Sequence, residues 1–256
     1  MSLENVRYAV ENNVARIEMN RPQVLNALSK GMFRDLRTAL AQARKDEEAR
    51  VVEITGAGKA FCAGLDIREI GGFKSRPEAK EFVYGLVKPF WDQLFGCEKP
   101  IISLVDGPAY GAGAEIALAS DIVVASTEST FAFSGGRVGA LCCMAGVIGP
   151  SLMNGRKLVE MNLTGAPLSA SESARYGLVN YSVPRAELVP TLERIAREIT
   201  HVSPISNSSF KRVRRIDLSR GRVETAYKEL LRTITSRDFR EGSRAFVAKR
   251  APEYYR

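Results

Sequence analysis

Ile101-Ile102-Ser103-Leu104-Val105-Asp106-Gly107-Pro108-Ala109-Tyr110-Gly111-Ala112-Gly113-Ala114-Glu115 passes from an apolar run into small residues, and Ile116-Ala117-Leu118-Ala119-Ser120-Asp121 continues as an apolar helical pattern. The run Ile101 to Val105 predicts a buried strand, and the pattern after Gly113 predicts a helix. Small residues at a strand-to-helix turn let backbone N–H groups come close to a bound group. A helix start also carries unpaired donors and a partial positive charge. Glu115 falls about one turn into that helix, and donors beside a carboxylate suit a site that stabilises negative charge and moves a proton. The same residues also suit a turn built only for packing, with Glu115 complementing the helix dipole.

Upstream, Arg7 to Val10 and Val14 to Met19 predict a strand pair around Glu11-Asn12-Asn13. Ser29 caps a predicted helix with Met32, Phe33, Leu36, Leu40 and Ala43 in helical period. Val51 to Thr55 predicts a second buried strand, and Ala60-Phe61-Cys62-Ala63-Gly64-Leu65-Asp66 is another strand exit into small residues. Glu78 to Phe95 predicts a helix with Phe82, Leu86, Phe90 and Leu94 on one face. Downstream, Ile122 to Ala125 and Thr130 to Phe133 predict extended pieces, and Ser134-Gly135-Gly136-Arg137-Val138-Gly139 predicts a loop. Ser169-Ala170-Ser171-Glu172 has the form of a capping box. Strands alternate with helices early and helices dominate late, which makes the chain α/β with a helical C-terminal part.

The chain has 256 residues, 45% hydrophobic and 26% charged, enough for one or two globular domains. No apolar run is long enough for a membrane span, and Met1-Ser2-Leu3-Glu4-Asn5 has no secretion-signal pattern. Cys62, Cys97, Cys142 and Cys143 lack metal-ligand spacing and suit a disulfide framework poorly, so a reducing, cytoplasmic setting is expected. His201 is the only histidine and sits at an expected helix end, which argues against a Ser-His-Asp triad. The formal charge is +8, with basic runs at Lys211-Arg212-Val213-Arg214-Arg215 and Arg220-Gly221-Arg222. Such a surface attracts nucleic acid, membrane or a polyphosphate ligand, but no aromatic residues interleave it as base stacking requires.

Two nucleotide motifs fail. Gly111-Ala112-Gly113 would need a third glycine where Ile116 stands, and Gly58-Lys59 is followed by Ala60 where a magnesium-binding hydroxyl is needed. What remains is a pair of similar turns, around Gly64-Leu65 and Gly111-Ala112. Set side by side by parallel strands, they would aim two N–H groups at one oxygen and stabilise an enolate-like anion.

With these features the sequence resembles the enoyl-CoA hydratase/isomerase (crotonase) family. The resemblance is carried by Arg21-Pro22 through Asn26-Ala27-Leu28-Ser29, Gly58 through Asp66, and Asp106-Gly107 through Gly113 with Glu115 and Asp121. Phe246-Val247-Ala248-Lys249-Arg250 resembles the family's C-terminus. The resemblance implies a repeated ββα spiral core over residues 1–195 and a helical trimerisation region over 196–256. It implies a homotrimer or dimer of trimers, and an acyl-CoA substrate in which coenzyme A is part of the substrate and no separate cofactor is needed. The thioester oxygen would be held by the N–H groups of Leu65 and Ala112. Gln23, Val24, Leu25, Ala63, Asp66 and Ile67 would line the CoA path, with Tyr110, Gly111 and Gly135 in the substrate set. Phe246 and Lys249 would reach CoA bound to a neighbouring subunit.

Glu115 matches one of the two catalytic glutamates of the hydratases. The second is expected near Gly135, where Ser134-Gly135-Gly136-Arg137 has no carboxylate. The expected activity is therefore hydration or a double-bond shift with Glu115 as acid and base. Two alternatives stand beside it. Arg137 could hold a substrate carboxylate and turn the site to decarboxylation or hydrolysis, or the chain could be a CoA- or RNA-binding protein with weak chemistry.

Overall fold

β1 (Val6–Glu11) and β2 (Val14–Met19) form an antiparallel hairpin. Its turn residues Asn12 and Asn13 are both left-handed, φ 50° and 65°, which matches the right-handed twist of the strands they join. The computed structural model describes residues 3–215 and 220–253. After β2 the chain climbs in turns. The first ends in α1 (Lys30–Lys45), capped as expected by Ser29, whose side chain accepts from the Met32 N–H. The second begins with β3 (Val51–Gly56) and continues through α2 (Ile67–Ile70), α3 (Arg76–Glu81) and α4 (Lys88–Gly96). The third is β4 (Ile101–Val105), β5 (Pro108–Tyr110) and α5 (Ala112–Ala119). The fourth is β6 (Ile122–Ser126), β7 (Thr130–Ala132), α6 (Cys143–Leu152) and α7 (Gly155–Thr164).

Each turn adds one parallel strand to a six-stranded sheet ordered β1-β2-β3-β4-β6-β9, closed by β9 (Tyr181–Val183). A second sheet is ordered β5-β7-β8, with β8 (Leu168–Ser169) antiparallel to β7. Parallel bridges Leu28↔Leu65 and Cys62↔Ala109 extend this second layer back to the first turn. The strand–strand–helix repeat is the spiral that the resemblance implies. It stacks the two small-residue turns directly above one another.

The helix expected over Glu78 to Phe95 is interrupted. Phe82–Val87 forms a wide π-type turn between α3 and α4, so Val87 is buried and Leu86 only half-buried. Pro89 supplies the reason: it has no N–H and its ring crowds the carbonyl four residues back, at Gly85, so the ladder loosens there. The capping box forms as expected, opening α8 (Ala170–Arg175) with reciprocal bonds between Ser169 and Glu172.

α9 (Leu188–Thr200) covers the outer face of the first sheet through Leu188, Leu192, Ile195 and Ala196. It spans the 195/196 boundary expected from the sequence. Then follow α10 (Pro204–Arg215), α11 (Arg220–Ile234) and α12 (Arg237–Val247). The basic run on α10 is tied to the core. Lys211 is buried and bonds Asp121 and the Lys99 carbonyl, Arg214 pairs with Asp121 at 3.1 Å, and Arg212 pairs with Glu98 at 2.8 Å. These ion pairs dock α10 on the core. The side chains of Arg215, Arg220 and Arg222 lie outside the described residues. Among the described residues, no helix is long and apolar enough to cross a membrane.

Candidate active site

The two turns meet. Cys62 donates its N–H to the Pro108 carbonyl at 3.2 Å and accepts from Tyr110 N–H at 2.8 Å, which fixes the height of one turn against the other. On the far side, Leu28 donates to the Gly64 carbonyl at 2.7 Å and accepts from Asp66 N–H at 3.1 Å. The Leu65 N–H between these bonds donates to no backbone group among the described residues. Ala112 opens α5 and has no acceptor in the helical ladder. Gly64 (φ +94°) and Gly111 (φ +53°) take conformations that favour glycine, and they lie in contact. The two free donors therefore sit on adjacent turns, at the wall of one cavity.

Asn26 locks this arrangement. It is fully buried and left-handed (φ 56°), accepts from Arg21 N–H, and donates to the carbonyls of Ala57 and Ala60 at 2.9 and 2.8 Å. Its own carbonyl accepts from the Cys62 thiol at 3.2 Å, and burial pushes that thiol up to about 12. Arg21 holds Asp66 at 2.9 Å.

The cavity encloses about 470 Å³. Gln23, Val24, Leu25, Ala63, Leu65, Asp66, Ile67, Tyr110, Gly111, Ala112, Glu115, Gly135 and Phe246, all singled out from the sequence, line it together. Arg137 and Lys249 do not. Arg137 is exposed and its Nε donates to the Thr164 carbonyl at 3.0 Å, because the turn at Ser134–Val138 directs it against the end of α7. The carboxylate-holding role considered for Arg137 has no geometric support. Lys249 is exposed just beyond the end of α12 with φ 53°. Phe246, expected at a neighbour's CoA, lines the cavity of its own chain. The cause is close packing of α12 on the 134–139 turn: a Cβ on Gly242 would lie 2.6 Å from the Val138 carbonyl, and one on Gly139 2.6 Å from Phe239 N.

Glu115 is buried in the cavity wall, and its Oε1 accepts from the Ala145 N–H at 2.9 Å, in the first turn of α6. Burial raises its pKa from 4.5 to about 8, against the pull of the Ala145 and Met144 N–H groups. Gly135 lies at the same cavity, but a Cβ there would meet Cys142 Sγ at 3.1 Å and the Ala140 carbonyl at 3.2 Å. The space beside Gly135 is filled by a thiol. Burial first, and then the charge of Glu115, push the Cys142 thiol well above its usual range, so it stays neutral. Among the described residues, Glu115 is thus the only carboxylate in the buried part of the cavity, Asp66 being half-buried and tied to Arg21.

Phe33, Val87, Trp91, Cys142, Cys143 and Leu230 also line the cavity. Phe33 belongs to the helical core stripe of α1, and nothing in the sequence marks the others as lining a site. A helical stripe shows which face is buried and not which buried residue borders a void. A second hollow of about 490 Å³ between the end of α1 and the start of α10 is lined by Arg44, Arg50, Glu98 and Lys99 among others. Lys99 Nζ is already taken there by the Ala43 and Asp46 carbonyls. No cluster of His, Cys, Asp and Glu among the described residues could hold a metal ion.

The family model described as enoyl-CoA hydratase/isomerase matches residues 9–256. An (E)-benzylidenesuccinyl-CoA hydratase of Thauera aromatica is 32% identical, over 97% of this chain and 98% of that protein. A probable enoyl-CoA hydratase of Rhodobacter capsulatus is 30% identical, over 99% of both. The crystal structure of a carnitinyl-CoA hydratase from Mycobacterium avium superposes with a TM-score of 0.85 at 31% identity, covering 99% of each chain.

Proposed function

The chain belongs to the enoyl-CoA hydratase/isomerase family, and on that basis we propose that it shifts the double bond of an enoyl-CoA, with Glu115 carrying the proton. In this reading the thioester oxygen accepts from the N–H groups of Leu65 and Ala112. The Glu115 carboxylate takes a proton from C2 of a 3-enoyl thioester, and the freed electron pair delocalises through C3 and C4 and onto the thioester oxygen. Glu115 then returns the same proton to C4, leaving a 2-enoyl thioester. No water is consumed and no second acid is needed. The observation that carries this choice over hydration is the neutral Cys142 thiol packed beside Gly135, where a second carboxylate would have to reach. The outer residues from Gln23 to Leu25, with Ala63, Asp66 and Ile67, form the path for the CoA arm. The positive net charge draws the CoA phosphates, more weakly at high salt.

The test is to build the missing half. Gly135→Glu combined with Cys142→Gly supplies a carboxylate and the room for it. Hydration of crotonyl-CoA, followed by loss of the enoyl thioester absorbance, is expected to rise by about tenfold or more over the wild type. A folded double variant with no gain would mean that this wall does not decide the reaction.

The same reading takes residues 196–256 as the assembly region of a homotrimer or dimer of trimers. Exposed apolar side chains support it: Ile205, Phe210 and Val213 on α10, and Val159 and Leu163 on α7. Lys249 would then reach the CoA of a neighbouring subunit. Sedimentation equilibrium is expected to give three or six times the 28.1 kDa chain mass, and a monomer at micromolar concentration would overturn this part. The four cysteines are buried and stand outside any disulfide, which supports a cytoplasmic, reducing location.

A further inference from the structure

The cavity changes character along its length. Gln23, Leu25, Arg68 and Phe246 at one end are exposed, whereas Phe33, Val87, Trp91 and Leu230 are each at most 3% exposed. The inner wall is backed by packed aromatic rings. Trp91 stacks on Phe95 with centroids 5.7 Å apart and meets Phe90 edge-on at 5.1 Å, while Phe33 meets Phe82 and Phe90 edge-on at 5.8 and 5.5 Å. Such a cluster does not collapse when the space beside it is empty. Among the described residues, the polar groups on the side chains lining this buried part are the Glu115 carboxyl, the thiols of Cys142 and Cys143 and the indole N–H of Trp91. Among the described residues, the only Lys or Arg lining the cavity is Arg68, which is exposed.

We infer that the substrate is the CoA thioester of a bulky, uncharged apolar acyl group, of medium chain length or ending in a ring, and that acyl groups carrying a second carboxylate are excluded. This rests on the acyl-CoA reading above and narrows it. A short acyl group would leave the apolar inner space unfilled, and each further buried methylene would add hydrophobic transfer free energy. A second carboxylate would be desolvated beside Glu115, where no Lys or Arg among the described residues lines the buried wall to pair with it. Leu230, on α11, lines the buried part of the cavity and would limit the acyl group there.

The test uses saturated thioesters, which cannot undergo the double-bond shift, titrated calorimetrically into the full-length wild-type protein. Octanoyl-CoA is expected to bind at least about tenfold more tightly than butanoyl-CoA, a fraction of what full burial of the added methylenes would give. Glutaryl-CoA is expected to bind about tenfold more weakly than butanoyl-CoA or worse. Leu230→Phe is expected to bring the octanoyl-to-butanoyl ratio close to one. Val87→Leu, at another buried lining residue, serves where Leu230→Phe does not fold by circular dichroism. Equal affinity for octanoyl- and butanoyl-CoA, tight glutaryl-CoA binding, or a ratio untouched by a folded variant would overturn the inference and leave the acyl-CoA reading intact. Failure of all three thioesters to bind would overturn both.

Discussion

Glu115→Gln lowers kcat for double-bond migration by about 1,000-fold while octanoyl-CoA affinity stays within about threefold. This is the expected result if the carboxylate carries the proton. The glutamine amide has the same shape, and its oxygen can still accept from the Ala145 N–H that Glu115 uses at 2.9 Å. It cannot take or return a proton, and positioned acid–base groups contribute roughly 100- to 10,000-fold. Steady-state kinetics on a 3-enoyl-CoA and calorimetry with the saturated analogue separate the two effects. Turnover within tenfold of the wild type would remove Glu115 from the mechanism.

The same residue sets the pH behaviour. The base form is the carboxylate, and burial holds its pKa at about 8. The wild-type kcat/KM should therefore rise as pH increases through about 8, and the residual activity of the Gln variant should not follow that curve. Stability moves the other way. Between 4.5 and about 8 the folded state keeps a proton that the unfolded chain has released, so stability falls as pH rises through this window. Above it, Glu115→Gln is expected to be the more stable protein, by a few kcal/mol at most.

The site was legible in the sequence where backbone conformation forces residue identity. Gly64 and Gly111 are left-handed at contacting turns, and a glycine requirement of that kind is written directly in the chain. Ser29, Asn12 and Asn13 were readable for the same reason, since a cap and a tight turn each accept few side chains. Glu115 stood out as a carboxylate in an otherwise apolar helix. What could not be read depends on which elements pack together. Arg137 follows the candidate site by two residues, yet the turn carries it outward to Thr164. Phe246 lies over a hundred residues from either donor turn, and only the seating of α12 on Val138 and Gly139 brings it to the cavity. The displaced face at Val87 follows from Pro89, a local cause, but its effect on which residue borders the cavity is tertiary.

Gly64→Ala is expected to lower kcat/KM by about 100- to 1,000-fold without touching any proton-carrying group. An added Cβ would lie 2.9 Å from the Tyr110 carbonyl oxygen and 3.4 Å from the Ala112 nitrogen, on a backbone held at φ +94°. An L side chain resists that φ, and the contact is with backbone, which cannot swing aside. The two turns must separate or rotate, and the Leu65 and Ala112 N–H groups would lose the common target proposed for them. Loss of one such donor typically costs a factor of 100 to 1,000. The strain should also reduce the unfolding free energy by about 1–3 kcal/mol, so activity is compared at a temperature where both proteins are fully folded. Gly72→Ala is the matched control, since a Cβ there meets nothing within 4 Å. If Gly64→Ala keeps kcat/KM within threefold of this control, the adjacency of the two turns is a packing feature and the thioester oxygen is held elsewhere. A large fall in the first variant alone would show that the spacing of two backbone N–H groups, with no side chain involved, limits the rate.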